Sequence, residues 1–202
     1  MVSVAIVKYN AGNIRSVDCA LKRLGVDAVV SDDPQVLKSA QRIIFPGVGE
    51  ASTAMDYLRR THLDEFLVTL RQPFLGICLG MQLMCASSEE NDTRCLGMFD
   101  VKVERFVKEA NLKIPHMGWN TLDCSADPLF KDIGKNPWVY FVHSYHVPLS
   151  EGTIAGCTYG TTTFSAAMGQ QNFRGVQFHP EKSGSVGSRI LENFLSLKED
   201  AL

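Results

Sequence analysis

One cysteine lies between two glycines in a setting that can make its thiol nucleophilic. The segment Gly76-Ile77-Cys78-Leu79-Gly80 follows an apolar run at residues 73–77 and precedes a predicted helix at residues 81–86. A sharp turn at Cys78 would hold the sulfur at the N-terminus of that helix, where the helix dipole and free N–H groups favour the thiolate. The N–H of Leu79 would then be placed to donate to an oxyanion. The alternative is a buried structural cysteine between two glycines that permit close packing.

A histidine with a nearby carboxylate is available to activate such a thiol. His179 directly follows an apolar run at residues 175–178, and Glu181 is two positions further on. A residue at the carboxyl end of a strand lies at the ligand-binding edge of an open α/β sheet, which is also the edge predicted for Cys78. Pro180 favours extended backbone at His179, so Glu181 can point the same way and orient the imidazole, as in a catalytic triad. The alternative is a strand-end histidine without a catalytic role.

A glycine-rich turn offers further backbone donors. The segment Pro46-Gly47-Val48-Gly49 ends a predicted strand at residues 42–45 and precedes a predicted helix at residues 50–59. Such a turn exposes backbone N–H groups. It lacks the Gly-Lys-Ser/Thr of a Walker A motif and is not a G-x-G-x-x-G fingerprint. Donation to an oxyanion suits it better than the two alternatives, a phosphate loop and a plain tight turn.

Other polar and aromatic residues give weaker signals. His143 and His146 flank a dipeptide in a strand-like segment, and alternation would place them on opposite faces, which argues against joint metal binding. Trp119 is either a core residue or an anchor for a partner. Glu90 belongs to an acidic segment that is either solvated or meets the ammonium group of a ligand.

An α/β framework has to position these residues. In the first half, apolar runs alternate with amphipathic segments, with strands expected at 2–7, 26–30, 42–45 and 73–77 and helices at 14–24 (capped by Asn13), from 34, at 50–59, 62–70 and 81–86. From residue 98 onward the runs are strand-like, at 99–106, 138–142, 154–159, 162–168 and 175–178, before a last helix at 183–197. This alternation predicts an α/β fold: an open, mostly parallel sheet with helices on both faces and an antiparallel β extension. We expect one continuous domain, 1–202.

Composition excludes several other classes of protein. The chain has 202 residues, a net charge of −2 and six cysteines. Without a basic excess a general nucleic-acid surface is not expected, and no apolar run is long enough for a transmembrane helix. The N-terminal run lacks the features of a signal peptide, so we expect free thiols and a cytoplasmic protein. No C-x-x-C pair occurs, so we expect no structural zinc.

Three of these motifs together resemble the class-I (triad) glutamine amidotransferases, namely Pro46-Gly47-Val48-Gly49, Gly76-Ile77-Cys78-Leu79-Gly80-Met81-Gln82 and Gln177-Phe178-His179-Pro180-Glu181. Further segments resemble the branch of that family whose glutaminase serves histidine synthesis, namely Tyr9-Asn10-Ala11-Gly12-Asn13, Ile114-Pro115-His116-Met117-Gly118-Trp119-Asn120, Tyr140-Phe141-Val142-His143-Ser144-Tyr145-His146 and Glu181-Lys182-Ser183-Gly184. The similarity covers essentially the whole chain and implies a flavodoxin-like sheet.

The resemblance implies a role for each site residue and no cofactor or metal. Cys78 would attack the side-chain amide of glutamine, while His179, oriented by Glu181, would protonate the departing ammonia and then activate water. The amides of Val48 and Leu79 would stabilise the oxyanions. Glutamine would be held by Gly47, Gly49, Gln82, Glu90, Ser144 and Tyr145.

The resemblance also implies a partner, a separate (β/α)8-barrel cyclase that uses the ammonia in a heterodimer. We expect the interface near Asn10, Asn13, Met117, Trp119 and Lys182, with Trp119 as the anchor. One departure is Lys8, where the family commonly has an acidic residue. Because glycines flank Val48, we hypothesise that its peptide turns into the oxyanion hole only when the cyclase binds its substrate.

Two alternatives stay open at the level of sequence. The first is another hydrolase of the same fold, such as a γ-glutamyl peptidase or a different amidotransferase subunit, which would not need the segments at 116–120 and 143–146. The second is a non-enzymatic interaction subunit, which would not need Cys78, His179 and Glu181 together.

Overall fold

The structure, a computed structural model, describes residues 3–10, 12–108, 110 and 112–197. Its strands within these residues are β1 Val4–Val7, β2 Ala28–Ser31, β3 Arg42–Gly47, β4 Phe74–Cys78, β5 Cys85–Ser88, β6 Thr93–Arg94, β7 Phe99–Arg105, β8 His116–Thr121, β9 Asp123–Cys124, β10 Trp138–His143, β11 Tyr145–Pro148, β12 Thr153–Tyr159, β13 Thr162–Gln170 and β14 Phe173–Val176. Its α-helices are α1 Ile14–Arg23, α2 Pro34–Ser39, α3 Ala51–Arg60, α4 Leu63–Leu67, α5 Leu79–Met84 and α6 Gly184–Ser196. None of the described helices is long and apolar enough to cross a membrane.

Five parallel strands form the centre of the sheet, in the order β2-β1-β3-β4-β14. This arrangement confirms the parallel core predicted from the alternation of apolar runs and amphipathic segments. The carboxyl ends of β3, β4 and β14 meet at one edge, where Gly47 is paired with Cys78. The two candidate motifs that contain these residues are therefore adjacent.

Both faces of the parallel core are buried, as the continuous apolar runs predict. Along β1, Ala5 and Val7 face one hydrophobic cluster, whereas Val4 and Ile6 face the other. Helix α3 packs on the first face and helices α1 and α6 pack on the second, each through its apolar stripe. The helices thus cover the sheet on both sides and leave its carboxyl edge to the connecting loops.

The second half adds the predicted antiparallel extension. Strand β13 pairs antiparallel with β14, β12 and β11, and β11 continues to β7. Strands β8 and β10 form a separate two-stranded antiparallel sheet. The sequence predicted β10 but not β8.

Some local predictions were wrong or fall outside the described part of the chain. The predicted helix at 81–86 ends at Met84, because Cys85 begins strand β5 and pairs with Phe99 of β7. The helix predicted at 62–70 shortens to α4. Asn13 occupies the N-cap position of α1, but its side chain makes no capping hydrogen bond. Val2 of the first predicted strand and Ala11 of the first loop lie outside the described residues.

Candidate active site

The turn between β4 and α5 holds Cys78 in a strained conformation. The backbone of Cys78 has φ 54° and ψ −111°, a region that residues with a Cβ rarely adopt. A Cβ on Gly80 would lie 1.8 Å from the carbonyl oxygen of Phe45, and one on Gly76 would lie 2.9 Å from the backbone nitrogen of Met81. Both glycines are therefore required, because only they allow β3, β4 and α5 to approach closely enough to fix the turn.

His179 and Glu181 form a buried pair beside this turn. His179 follows the end of β14 with the predicted extended backbone, φ −100° and ψ 95°, and its N–H donates to the carbonyl oxygen of Tyr140 at 2.9 Å. Its ring Nδ1 lies 2.7 Å from Oε1 of Glu181, and both side chains are completely buried. A carboxylate in that position fixes the tautomer with the proton on Nδ1 and leaves Nε2 for the reacting group.

The protonation of His179 reflects its two neighbours. Burial lowers the pKa of the ring, but its interactions with the nearby Cys78 and Glu181 outweigh burial and raise the pKa to about 10. Nε2 is buried and, among the described residues, has no hydrogen-bond partner. An imidazolium that faces the sulfur is the state that can deliver a proton to a leaving amine.

Asn13 contacts the same carboxylate, although the sequence analysis assigned it to the partner interface. Its side-chain Nδ2 lies 2.5 Å from Oε1 of Glu181 and 3.4 Å from Nδ1 of His179. Because Nδ1 already directs its hydrogen at Glu181, the Asn13 amide donates to the carboxylate and not to the ring. The left-handed backbone of Asn13, φ 78°, turns the side chain away from the helix that it precedes.

A cleft of about 300 Å³ opens in front of Cys78. Eight residues that the resemblance assigned to the site line this cleft, namely Val48, Gly49, Cys78, Leu79, Gln82, Glu90, Ser144 and Tyr145, together with Pro115, Val142 and His143. Its size suits a ligand of amino-acid dimensions. A wider surface groove of about 510 Å³ lies beside β9 and β12, but none of the triad candidates lines it.

Gly47, which the resemblance assigned to glutamine binding, does not line the cleft but lies behind the residues that do. It pairs with Cys78, and a Cβ at this position would lie 2.3 Å from the hydroxyl oxygen of Tyr9. That hydroxyl donates to the carbonyl oxygen of Pro46 at 2.8 Å, and burial, followed by the charge of Cys78, raises the pKa of Tyr9. The glycine-rich turn is thus pinned at its start by a buried phenol. Gly49, with φ 109°, gives its other end conformational freedom.

Glu90 connects the cleft to a neighbouring helix. Its Oε2 accepts a hydrogen bond from the N–H of Ala51 at 2.7 Å, at the N-terminus of α3. Burial raises the pKa of Glu90, while this hydrogen bond lowers it and the charge of Glu50 raises it again. The acidic segment that the sequence left open as solvent-exposed or ligand-binding therefore includes one carboxylate that is held at the cleft.

The wall opposite Cys78 is built on a pair of buried histidines. His143 Nδ1 donates to the carbonyl oxygen of Tyr145 at 2.7 Å, so its Nε2 is the acceptor for Nδ1 of His116 at 3.0 Å. The expectation that His143 and His146 lie on opposite faces of one strand was wrong, because Ser144 separates two strands: β10 ends at His143 and β11 begins at Tyr145. The rings of both histidines contact Phe106.

Acid is expected to destabilise the fold through this pair. Burial lowers the pKa of His116 to about 4 and that of His143 to about 3. Between about pH 6.5 and pH 4 the unfolded chain therefore binds protons that the folded protein excludes, so stability falls as the pH falls, by on the order of a few kcal/mol. His179, whose pKa is raised, contributes in the opposite sense, and only above about pH 6.5.

The melting temperature, measured across that range, should fall with pH, and it should fall less steeply in His116→Asn, which carries one buried imidazole fewer. A melting temperature that is independent of pH in this window would contradict this reading of the pair.

Most of the residues predicted for a partner interface lie at the surface. Met117 is 63% exposed and Trp119 is 51% exposed, on one face of β8. Lys182 is exposed, with its amino group 6.0 Å from the ring centre of Tyr140, on which Trp119 also packs. Asn10 donates to the carbonyl oxygen of Thr53. Asn13 is the exception, since its side chain points to the triad candidates.

Comparison with known proteins places these features in one family. The sequence profile of the family described as "Glutamine amidotransferase class-I" matches residues 5–197. Imidazole glycerol phosphate synthase subunit HisH of Bacteroides fragilis (strain ATCC 25285) is 58% identical over 195 residues, which cover 96% of this chain and 99% of that protein. The protein of the same name from Shewanella sediminis is 46% identical over 205 residues, with 99% and 93% covered.

Solved structures show the same fold at low sequence identity. A protein of Thermoplasma acidophilum, described as part of a putative GMP synthase, superposes with a TM-score of 0.74 at 19% identity, over 96% of this chain and 93% of that one. A glutamine amidotransferase superposes with a TM-score of 0.73 at 22% identity, over 96% and 97%. The predicted mixed α/β fold is thus confirmed.

Proposed function

The chain belongs to the class-I glutamine amidotransferase family, and from that premise we propose that it is the glutaminase subunit of imidazole glycerol phosphate synthase. It hydrolyses glutamine to glutamate and ammonia, and the ammonia passes to a cyclase subunit that makes imidazole glycerol phosphate and an aminoimidazole carboxamide ribonucleotide. The observation that supports it best is the buried His179–Glu181 pair, which lies beside Cys78 where the cleft opens.

In the proposed mechanism, Cys78 is the nucleophile. Its thiolate attacks the side-chain carbonyl carbon of glutamine, and a carbon–sulfur bond forms. The carbon–nitrogen bond then breaks as Nε2–H of His179 protonates the nitrogen, which leaves as ammonia. The neutral imidazole next takes a proton from water, which attacks the γ-glutamyl thioester. The carbon–sulfur bond breaks, glutamate leaves, and the thiolate–imidazolium pair is restored.

The surrounding groups stabilise charge and hold the substrate. The N–H groups of Leu79 and Val48 donate to the oxyanion, and each such donor contributes roughly 3 kcal/mol to transition-state stabilisation in comparable enzymes. The carboxylate of Glu90 is placed to receive the α-ammonium group of glutamine. The other proposed contacts to glutamine come from Gly49, Gln82, Ser144 and Tyr145, whereas Gly47 lies behind the cleft and supports the turn.

The partner is proposed to be a (β/α)8-barrel cyclase. The similar proteins are named as subunits, which supports a complex. The exposed Met117 and Trp119 supply an apolar patch of the kind that anchors interfaces, and Lys182 lies near it, since Lys182 and Trp119 both contact the ring of Tyr140. Asn10 is proposed as a further contact to the cyclase. The six cysteines are free, which supports work in the reducing cytoplasm.

A glutaminase assay with and without the cyclase tests this function. Glutamate release is expected to be slow for the chain alone and much faster with the cyclase and its nucleotide substrate, because we hypothesise that the N–H of Val48 reaches the oxyanion hole only in that complex. If the Val48 peptide turns into the oxyanion hole only in the complex, the ratio of the rates with and without the cyclase measures the effect of that turn. Equal rates in both conditions would contradict the dependence on a partner, and release from γ-glutamyl peptides but not from glutamine would point to a stand-alone hydrolase.

Asn13→Ala is expected to lower kcat for glutamine hydrolysis roughly tenfold with little change in KM, because a hydrogen bond to a buried charged group is lost. The measurement is made at saturating cyclase, which separates a role at the triad from a role in docking. A rate that returns to the wild-type value at high cyclase concentration would assign Asn13 to the interface instead. Asn193→Ala is the control, because Asn193 donates only to the backbone of Leu129 and Lys131 among the described residues.

A further inference from the structure

A chain of buried amides leads from a backbone carbonyl to the sulfur of Cys78. Gln177 is completely buried, two residues before His179, and its Nε2 lies 3.7 Å from Sγ of Cys78. Its Oε1 accepts a hydrogen bond at 2.8 Å from Nε2 of Gln82. The same nitrogen of Gln82 also donates to the carbonyl oxygen of Tyr145 at 3.1 Å.

The orientation of both amides follows from this chain. A backbone carbonyl can only accept, so the group of Gln82 that faces Tyr145 must be its NH₂. The atom of Gln177 that faces that NH₂ must then be its oxygen. The nitrogen of Gln177 is left to face Cys78, and it can only donate. The fold thus aims a fixed N–H group at the sulfur.

We propose that Gln177 is a catalytic residue whose side-chain amide donates a hydrogen bond to the sulfur of Cys78 whenever that sulfur carries negative charge. The inference rests on the proposed function, since it gives Gln177 a part in the same reaction. The sequence alone does not predict this role for Gln177. The contact joins it to a cysteine 99 residues away, and no local spacing reveals that contact.

Gln177 is positioned to stabilise the thiolate form of Cys78 more than the thiol form. Besides His179 and Gln177, the sulfur has a polar neighbour among the described residues in the carbonyl oxygen of Val142 at 3.9 Å, which accepts from a thiol and repels a thiolate. The amide of Gln177 does the reverse, because it offers only hydrogen. A hydrogen bond to a charged group in a buried site is stronger than one to a neutral group.

Two steps of the reaction use this preference. In the resting enzyme the hydrogen bond raises the fraction of thiolate available to attack the amide carbon. During thioester hydrolysis the carbon–sulfur bond breaks and negative charge returns to the sulfur, so the same donor assists the sulfur as leaving group. Binding of glutamine uses neither effect, and KM should therefore change much less than kcat.

Alkylation of Cys78 by iodoacetamide, followed site by site with mass spectrometry, tests the proposal without glutamine. In Gln177→Met, which keeps the length of the side chain but has no N–H, the pH of half-maximal alkylation should rise by about one unit, and the rate below that pH should fall about tenfold. Gln177→Glu keeps the acceptor for Gln82 while replacing the donor, and it should shift the profile in the same direction. This second variant serves if the first fails to fold.

Asn172→Leu is the matched control. Asn172 lies just before the other end of β14, is buried, and donates through its side-chain amide to the carbonyl oxygens of Leu70 and Gln72. Its loss removes a buried amide far from the sulfur, so the alkylation profile of Cys78 should stay that of the wild type even though the protein is less stable.

Unchanged alkylation profiles in folded Gln177→Met or Gln177→Glu would overturn the proposal and reduce Gln177 to a packing residue. A shifted profile in the Gln177 variants, combined with a wild-type protein that releases no ammonia from glutamine even with the cyclase, would instead contradict the proposed function while leaving the sulfur contact established. The two failures are therefore distinguishable.

Discussion

Replacing Cys78 with alanine is expected to abolish ammonia release from glutamine, with a loss of at least about 10⁴-fold in kcat. The reason is that no other thiol of the described residues lines the cleft, so no second nucleophile can form the thioester. Backbone donors would remain and supply only residual catalysis. The assay measures glutamate formed by the complex with the cyclase, and the same complex supplied with ammonium salt should still make its product.

Cys19→Ala is the control for this prediction. Cys19 is an exposed thiol on helix α1, and its loss should leave glutamine hydrolysis unchanged. A Cys78→Ala protein that still hydrolyses glutamine within tenfold of the wild type would show that the thioester route is wrong. A protein that also loses the ammonium-dependent reaction would show that the substitution disturbs the complex and not the chemistry.

Replacing His179 with asparagine is expected to lower kcat by roughly 10³-fold, because a general acid–base group contributes about 10²–10⁴ to such reactions. The substitution removes both the imidazolium that protonates ammonia and the base that activates water. Because the amide nitrogen of asparagine occupies nearly the position of Nδ1, the hydrogen bond to Glu181 can be kept, and the defect reports the loss of Nε2.

The size of the defect should depend on the leaving group. A γ-glutamyl anilide with an electron-poor ring needs less help from an acid, so its burst of anilide release, which reports acylation, should fall much less in His179→Asn than the hydrolysis of glutamine. Equal losses for both substrates would contradict a role for His179 as the acid. His62→Asn, at an exposed histidine before α4, is the matched control and should retain wild-type rates.

The parts of the site that the sequence predicts are those fixed by neighbouring residues and by the order of the strands. The elbow at Cys78 was readable because glycines on both sides of a cysteine, between an apolar strand and a helix, leave few other conformations. The pair of His179 and Glu181 was readable because Pro180 fixes the local backbone and because parallel strands place their carboxyl ends at one edge. These rules require only neighbouring residues and the order of the elements.

The remaining features depend on contacts between distant segments. Asn13 has the residue type and position of a helix cap, and only the fold brings Glu181 close enough to take its amide. The amide of Gln177 gains its direction from the carbonyl of Tyr145 through Gln82.

The segment after Met84 was misassigned for a similar reason. It is apolar enough to continue a helix, but Cys85 pairs with Phe99 and Ser87 with Lys102, so tertiary pairing draws it into a strand. Local propensity cannot reveal a strand partner that lies elsewhere in the chain.

The most direct test of the account is to trap the acyl-enzyme. The complex with the cyclase is mixed with glutamine and quenched in acid before the first turnover is complete, and its peptides are analysed by mass spectrometry. The account predicts a γ-glutamyl group bound to the sulfur of Cys78, and it predicts that this adduct accumulates in His179→Asn when the γ-glutamyl anilide, whose leaving group needs little protonation, replaces glutamine. Glutamate that forms without any adduct on Cys78, or with an adduct on a different cysteine, would contradict it.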